Sequence, residues 1–192
     1  MGVPTIETGP MMVEEYSAFT ETRPDNEKWE LIDGEPVLNA SPSALHRQIL
    51  WNLAFLLGTI QRQRPQIWES SAGIGVRTSD TSLPVPDVFI VPAGSARGNP
   101  YSRETRDVIA ALEILSPSTA ERDLRWKRTA YAGLPSLAYY VVIAQDAVDV
   151  VVFARENGFA ERRLRSLGDS LDLPALGISL PLSEIYRDTA LS

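Results

Sequence analysis

A single α/β domain, with strands and helices interleaved in α+β fashion, is the expected fold, and three stretches carry that expectation. Residues 107–131, DVIAALEILSPSTAERDLRWKRTAY, pass from a near-continuous apolar strand through a capped turn into a helix. Leu45, Ile49, Leu53, Leu56 and Ile60 recur at helical spacing. Residues 137–165 read as a three-strand meander. A chain of 192 residues that is 44% hydrophobic and 22% charged can bury one good core and asks for no second domain.

Taken in order, Met12 to Phe19 reads as a short amphipathic helix. KWELIDGEPVLNA, residues 28–40, is a hairpin, because Asp33-Gly34 is a strong two-residue turn signal, and Glu30 lies on its first strand. Ser41-Pro42-Ser43 offers the N-cap of the main core helix, which Arg64-Pro65 stops. His46, the one histidine, falls at the edge of its apolar stripe. Residues 66–77 are extended and glycine-interrupted, TSDTS is a turn, and PVPDVFIVP is a strand entered through Pro86 that carries Asp87. Residues 93–105 form a loop holding Arg97 and Arg103.

The apolar run Val108 to Leu115 suits a strand covered on both faces, yet it contains Glu113, whose charge would be costly there without a cation or strong donors. Ser118 and Glu121 have capping-box spacing, and Gly133 and Pro135 supply the stop of a helix from about Thr119 to Ala132. At 100° per residue, Ala120, Leu124, Lys127 and Tyr131 share one face, while Arg122, Arg125 and Trp126 point elsewhere. Lys127 is thus expected to face inward. LAYYVVIA, AVDVVVFAR and GFAERRLR then make the meander, with Arg162, Arg163 and Arg165 marking a solvated edge strand, and LPLSEIYRD closes with a short capped turn.

Composition narrows the function. With no cysteine there is no disulfide or thiolate metal site, which fits a cytoplasmic setting. The first residues lack the pattern of a secretory signal, and the longest apolar run, Leu137 to Ala144, is too short to span a bilayer, so a protein without membrane partners is expected. A net charge of -7 argues against a dedicated nucleic-acid binder but leaves room for a local basic groove. Phosphate-loop, HExxH, EF-hand and GxSxG motifs are missing, and one histidine cannot build a His-rich metal site. What remains is oxygen-ligand chemistry: acidic side chains on neighbouring strands suited to Mg²⁺ or Mn²⁺.

The ordered set WELIDGE, His46, Pro86-Asp87, EILSPST from Glu113, then Asp123, Lys127 and Tyr131 at intervals of four, resembles the Uma-two family of the PD-(D/E)XK nuclease superfamily. The resemblance covers roughly residues 12–186 as one domain. It implies a restriction-endonuclease-like mixed sheet flanked by helices and a Mg²⁺- or Mn²⁺-dependent endonuclease acting on nucleic acid, DNA foremost. Asp87 and Glu113 would be direct metal ligands with the Ile114 carbonyl, and Glu30 would act through a water. The superfamily's E-x-K spacing would put lysine at 115, where this chain has Leu115. The catalytic lysine is therefore expected to have moved to Lys127, in line with its inward face. His46, Ser116, Asp123 and Tyr131 are expected at the site rim, and Arg97, Arg103, Arg125 and Arg128 are candidates for substrate phosphates. Two-fold symmetry of a duplex suits a homodimer.

Each of these residues also has a plainer role open to it. Asp87 can begin a surface strand, Glu113 can form a structural ion pair with Lys127, Glu30 can be solvated on its hairpin, and His46 and Tyr131 can be packing residues. The whole chain can likewise be a non-catalytic binding or assembly module on the nuclease scaffold.

Overall fold

The computed structural model describes residues 9–24, 26–63, 67–95, 102–116 and 119–192. Helix α1 (Val13–Glu21) is followed by strands β1 (Lys28–Ile32) and β2 (Glu35–Asn39). Their turn places Asp33 and Gly34 at φ 49° and 83°, the double positive φ that a tight Asp-Gly hairpin turn demands. Then come α2 (Ala44–Gln63), β3 (Trp68–Ser71), β4 (Gly75–Val76), β5 (Val88–Pro92), β6 (Glu104–Thr105) and β7 (Ala110–Leu115). A π-helical turn, Arg122–Lys127, runs directly into the α-helix Arg128–Ala132, and the two together are called α3. Strands β8 (Tyr139–Ala144), β9 (Val150–Ala154), β10 (Glu161–Leu164), β11 (Ser170–Leu173) and β12 (Ile178–Pro181) precede a last short helix, α4 (Leu182–Ile185).

The main sheet has six strands in the order β10-β9-β8-β7-β5-β3. Within this sheet only β7 and β8 pair in parallel, and α3 makes the crossover between them. Alternation along the strands sorts side chains to two cores. Val88, Ile90, Ala110, Leu112 and Ile114 pack under Ile49, Leu53 and Leu57 of α2, together with the β11-β12 hairpin and α4. Phe89, Val91, Ala111, Tyr140 and Val142 pack on the other face with Tyr131 of α3. Being covered on both sides is why β7 and β8 read as continuous apolar runs. A third, smaller core of Val13, Tyr16, Leu31 and Leu83 fastens α1 and the β1-β2 hairpin beside the sheet.

Three expectations need adjusting. Strand β5 starts at Val88 rather than at residue 84, since Pro84 and Pro86 have no N–H to give a ladder. The buried stripe of α2 is His46, Ile49, Leu53 and Leu57, so His46 belongs to it rather than to its edge. The β11-β12 hairpin was not anticipated, because its four-residue strands alternate too briefly to stand out from turn-rich sequence. Ser118, Arg64, Pro65 and Gln66 lie outside the described residues. Among the described residues, no helix is long and apolar enough to cross a membrane.

Candidate active site

The site forms where the β5-β7 ladder ends. Antiparallel pairing runs from Ile90↔Ala110 to Val88↔Leu112, and the next positions in register would be Asp87↔Glu113 and Pro86↔Ile114. Pro86 has no N–H to offer the Ile114 carbonyl. Instead Asp87 folds its carboxylate onto the Ile114 N–H, which donates to Oδ2 at 2.8 Å. Asp87 and Glu113 are thereby held as neighbours at the frayed end of two buried strands, as the sequence suggested.

Around them lies a cleft of about 540 Å³ that also takes in Lys28, Glu30, Asn39, His46, Arg122, Asp123 and Lys127. Lys127 is at its centre. Its Nζ lies 2.8 Å from Glu113 Oε1, 2.9 Å from Glu30 Oε1 and 3.3 Å from Asp123 Oδ1, so each of its three protons faces a carboxylate. The side chain is 4% exposed, which confirms the inward face. Glu30 is fully buried and also accepts from the Val85 N–H at 2.7 Å and the Asn39 amide at 2.9 Å, with Arg122 3.3 Å away. Its solvated alternative does not hold, because the hairpin turns that face of β1 into the cleft. Tyr131, fully buried, donates its hydroxyl to Glu113 Oε1 at 3.3 Å.

Asp87 has a different set of partners. Lys28 Nζ is 3.1 Å from Oδ1 and His46 Nε2 is 3.2 Å from Oδ2. It is buried, so the surface-strand alternative also fails. Ser116 lines the cleft and shares a 2.9 Å hydroxyl contact with Thr119.

Electrostatics separates the acids. Burial opposes ionisation of Asp87, but the His46 hydrogen bond, the Lys28 charge and the Ile114 N–H outweigh it and hold its carboxyl well below the usual range. Burial likewise opposes ionisation of Glu30, and Lys127, Asn39 and Val85 bring it below its ordinary value. Glu113 has fewer donors. Burial, with Asp87, Asp123 and Glu30 nearby, pushes it up to about 8 despite Lys127. Lys127 itself is held cationic, its burial overcome by Glu113, Glu30 and Asp123. Four carboxylates meet three permanent cations, Lys28, Arg122 and Lys127, and Glu113 is the acid whose ionisation this crowding most opposes.

Carboxylates and carbonyls are the donors that hard divalent cations take. Among the described residues no group of three or more acidic or histidine side chains is placed to hold a metal ion. Mg²⁺ rarely wants so many: it is held by one or two carboxylates, and keeps water and substrate oxygens for the rest. Asp87, Glu113 and the Ile114 carbonyl, which faces a proline, are the oxygen donors that could hold such an ion.

The sequence missed Arg122, Lys28 and Asn39. Arg122 was placed off the inward face by counting 100° per residue, but in a π-turn residues five apart come onto one side, and Arg122 stands five before Lys127. It donates to Asn39 Oδ1 beside Glu30. Lys28 had a usable signal, since it stands two residues before Glu30 on a strand and so shares its face. The expected arginines are scattered. Arg125 is exposed and pairs with Glu121 at 3.5 Å, and Arg128 donates to the Phe159 carbonyl and lies 4.5 Å over the Phe153 ring; neither lines the cleft. Arg97 lies outside the described residues.

Residues 13–183 match the sequence profile of Uma2, described as "Putative restriction endonuclease". The chain belongs to the Uma2 family. Its fold is also similar to the crystal structure of "a putative nuclease belonging to DUF820" from Anabaena variabilis, with a TM-score of 0.75 at 14% identity over 92% of this chain and 98% of that one. No curated protein matches. The mixed sheet with flanking helices is therefore the Uma2 nuclease fold, and Glu30, Asp87, Glu113 and Lys127 meet in its cleft.

Proposed function

We propose that this Uma2 protein is an endonuclease that hydrolyses phosphodiester bonds of nucleic acid, DNA foremost, using Mg²⁺ or Mn²⁺ at Asp87 and Glu113. The observation that carries this reading is the convergence of buried Asp87, Glu113 and Glu30 on one open cleft around Lys127, an arrangement that pushes the Glu113 carboxyl up. A scaffold kept only for assembly has no physical need for it.

Asp87 and Glu113 would hold the cation with the Ile114 carbonyl as a further oxygen donor, and Glu30 would contribute through water. When bound, the metal supplies polarisation of the phosphate and acidification of the attacking water. Lys127 fixes the Glu113 carboxylate in one rotamer and offsets the negative charge that a phosphate brings into a site already rich in acids. Arg122 and Asn39 hold Glu30 toward Lys127, and Tyr131 braces Glu113 from the core side. His46 fixes Asp87. On duplex DNA, a homodimer would present one cleft to each strand.

The test is cleavage of single- and double-stranded oligonucleotides with Mg²⁺ or Mn²⁺, by the parent and by Glu113→Gln. The parent should cleave, chelation should stop it, and Glu113→Gln should lose activity by orders of magnitude while remaining folded. A folded parent inert on every nucleic acid in both metals, or a fully active Glu113→Gln, overturns the proposal.

A further inference from the structure

Beside the cleft runs a second groove of about 490 Å³, lined by Arg23, Glu27, Lys28, Trp29, Gly73 and Arg103 among others. Lys28 and Gly73 line both, so groove and cleft are continuous. We infer that this groove binds the phosphodiester backbone of a nucleic-acid strand as it leaves the cleft, an inference that rests on the nuclease reading for the identity of the strand.

The argument is one of unspent charge. In a chain of net charge -7, basic side chains are usually neutralised: Arg77 pairs with Glu14 and Asp80, Arg163 with Asp149 and Glu161, and Arg187 with Glu184. Among the described residues, no carboxylate pairs with Arg23 or Arg103. Arg23 is instead held by aromatic rings, its guanidinium 4.3 Å from the Phe19 centroid and 5.8 Å from that of Trp29. Stacking fixes the plane of a guanidinium and leaves its N–H edge free, the edge that matches a phosphate. Among the described residues Glu27 is the one acid on the groove wall, and it is turned aside to accept the Trp29 indole N–H at 2.7 Å. Lys28 links the two regions, with its ammonium on Asp87 and its side chain 41% exposed.

The junction has room for a strand to pass. Gly73 sits there at φ 78°, and a Cβ built on it would meet nothing within 4 Å. Phosphates spaced along a strand would then meet Lys28 at the cleft mouth and Arg23 and Arg103 beyond it. This explains how an acidic protein can hold a polyanion: the repulsive surface is bypassed by a short positive track that begins at the reacting carboxylates.

The experiment measures binding of a fluorescent 12-nucleotide single-stranded DNA in metal-free buffer, where nothing is cleaved, across a range of salt. Arg23→Gln, which keeps the stem over the rings, and Arg103→Gln, on an exposed residue, should each weaken binding several-fold. Each should also flatten the salt slope by about 0.7 for the lost phosphate contact. Glu27→Gln should tighten binding, because it removes a negative charge and keeps an acceptor for Trp29. Melting temperatures confirm that all three fold. Turnover of bis(p-nitrophenyl) phosphate, too small to reach the groove, should be the same in parent and variants. Unaltered affinity and slope in both arginine variants, or no binding by the parent, overturns the inference. If the parent fails to turn over the small ester or to cleave nucleic acid, the nuclease reading falls, and the binding data still decide the groove.

Discussion

Asp87 accepts the N–H of Ile114 at 2.8 Å in the place where the next rung of the β5-β7 ladder would fall. One side chain thus ends the strand pairing, satisfies a buried donor and puts a carboxylate next to Glu113. Removing it has a cost that charge alone does not foretell. Deleting one of two crowded carboxylates relieves repulsion, but Asp87→Ala also strands the Ile114 N–H and deprives Lys28 and His46 of their partner. We expect Asp87→Ala to lose about 1 to 3 kcal/mol in denaturant unfolding and Asp87→Asn, which keeps an acceptor, to lose less. Equal stability of parent and Asp87→Ala would mean that this bond does not hold the site.

Metal dependence should show in the same variants without any turnover. Mg²⁺ or Mn²⁺ should raise the melting temperature of the parent in a saturable way, because a ligand that binds only the folded state stabilises it. Asp87→Ala and Glu113→Gln should show no such rise. A parent whose melting point ignores both metals would remove the proposed ion.

Lys127 faces three carboxylates from 4% exposure, so its charge cannot be deleted harmlessly. Lys127→Met keeps the packing stem and should cost about 3 to 5 kcal/mol, since it leaves buried negative charge uncompensated. Adding Glu30→Gln should return part of that loss, because Glu30 is the acid that Lys127 holds ionised. Additive effects in this double-mutant cycle would deny the coupling.

Stability should fall as pH rises through the neutral range. Glu113 has an ordinary value near 4.5 and is held up to about 8 in the fold. Below 4.5 it is protonated in folded and unfolded chains alike; between 4.5 and 8 the unfolded chain ionises first, so stability drains with rising pH until the folded group has also titrated. Asp87 runs the other way: held low, its contribution is full above its ordinary value of 3.8 and is lost in acid. Urea unfolding of the parent from pH 4.5 to 9 should show the decline, and Glu113→Gln should flatten it. Matching pH profiles for the two proteins would place the titration elsewhere.

The hairpin that brings Glu30 and Lys28 to the cleft depends on Gly34. At φ 83° it sits where side chains are strained, and a Cβ there would lie 2.3 Å from Pro10 Cβ. Gly34→Ala should therefore destabilise by about 1 to 3 kcal/mol and weaken metal binding as Glu30 shifts. A variant melting like the parent would show that the hairpin tolerates a different turn.

The sequence by itself determined the elements with strong local signals. Asp33-Gly34 set a turn because few residue pairs accept two positive φ angles, and the apolar runs of β7 and β8 set buried strands because only double coverage permits them. It also made Glu113 and Lys127 conspicuous, since a charge within an apolar face needs a partner. Tertiary structure decided the rest. That Asp87 replaces a ladder rung depends on where β5 and β7 part, and that Arg122 joins Lys127 depends on a π-turn, which no 3.6-residue period reveals. Lys28, Glu30 and Asn39 enter the cleft only because the third small core docks their hairpin there. The raised Glu113 and lowered Asp87 were equally beyond reach of the sequence: one carboxyl differs from another by the donors that folding brings within about 3 Å, and those come from segments far apart in the chain.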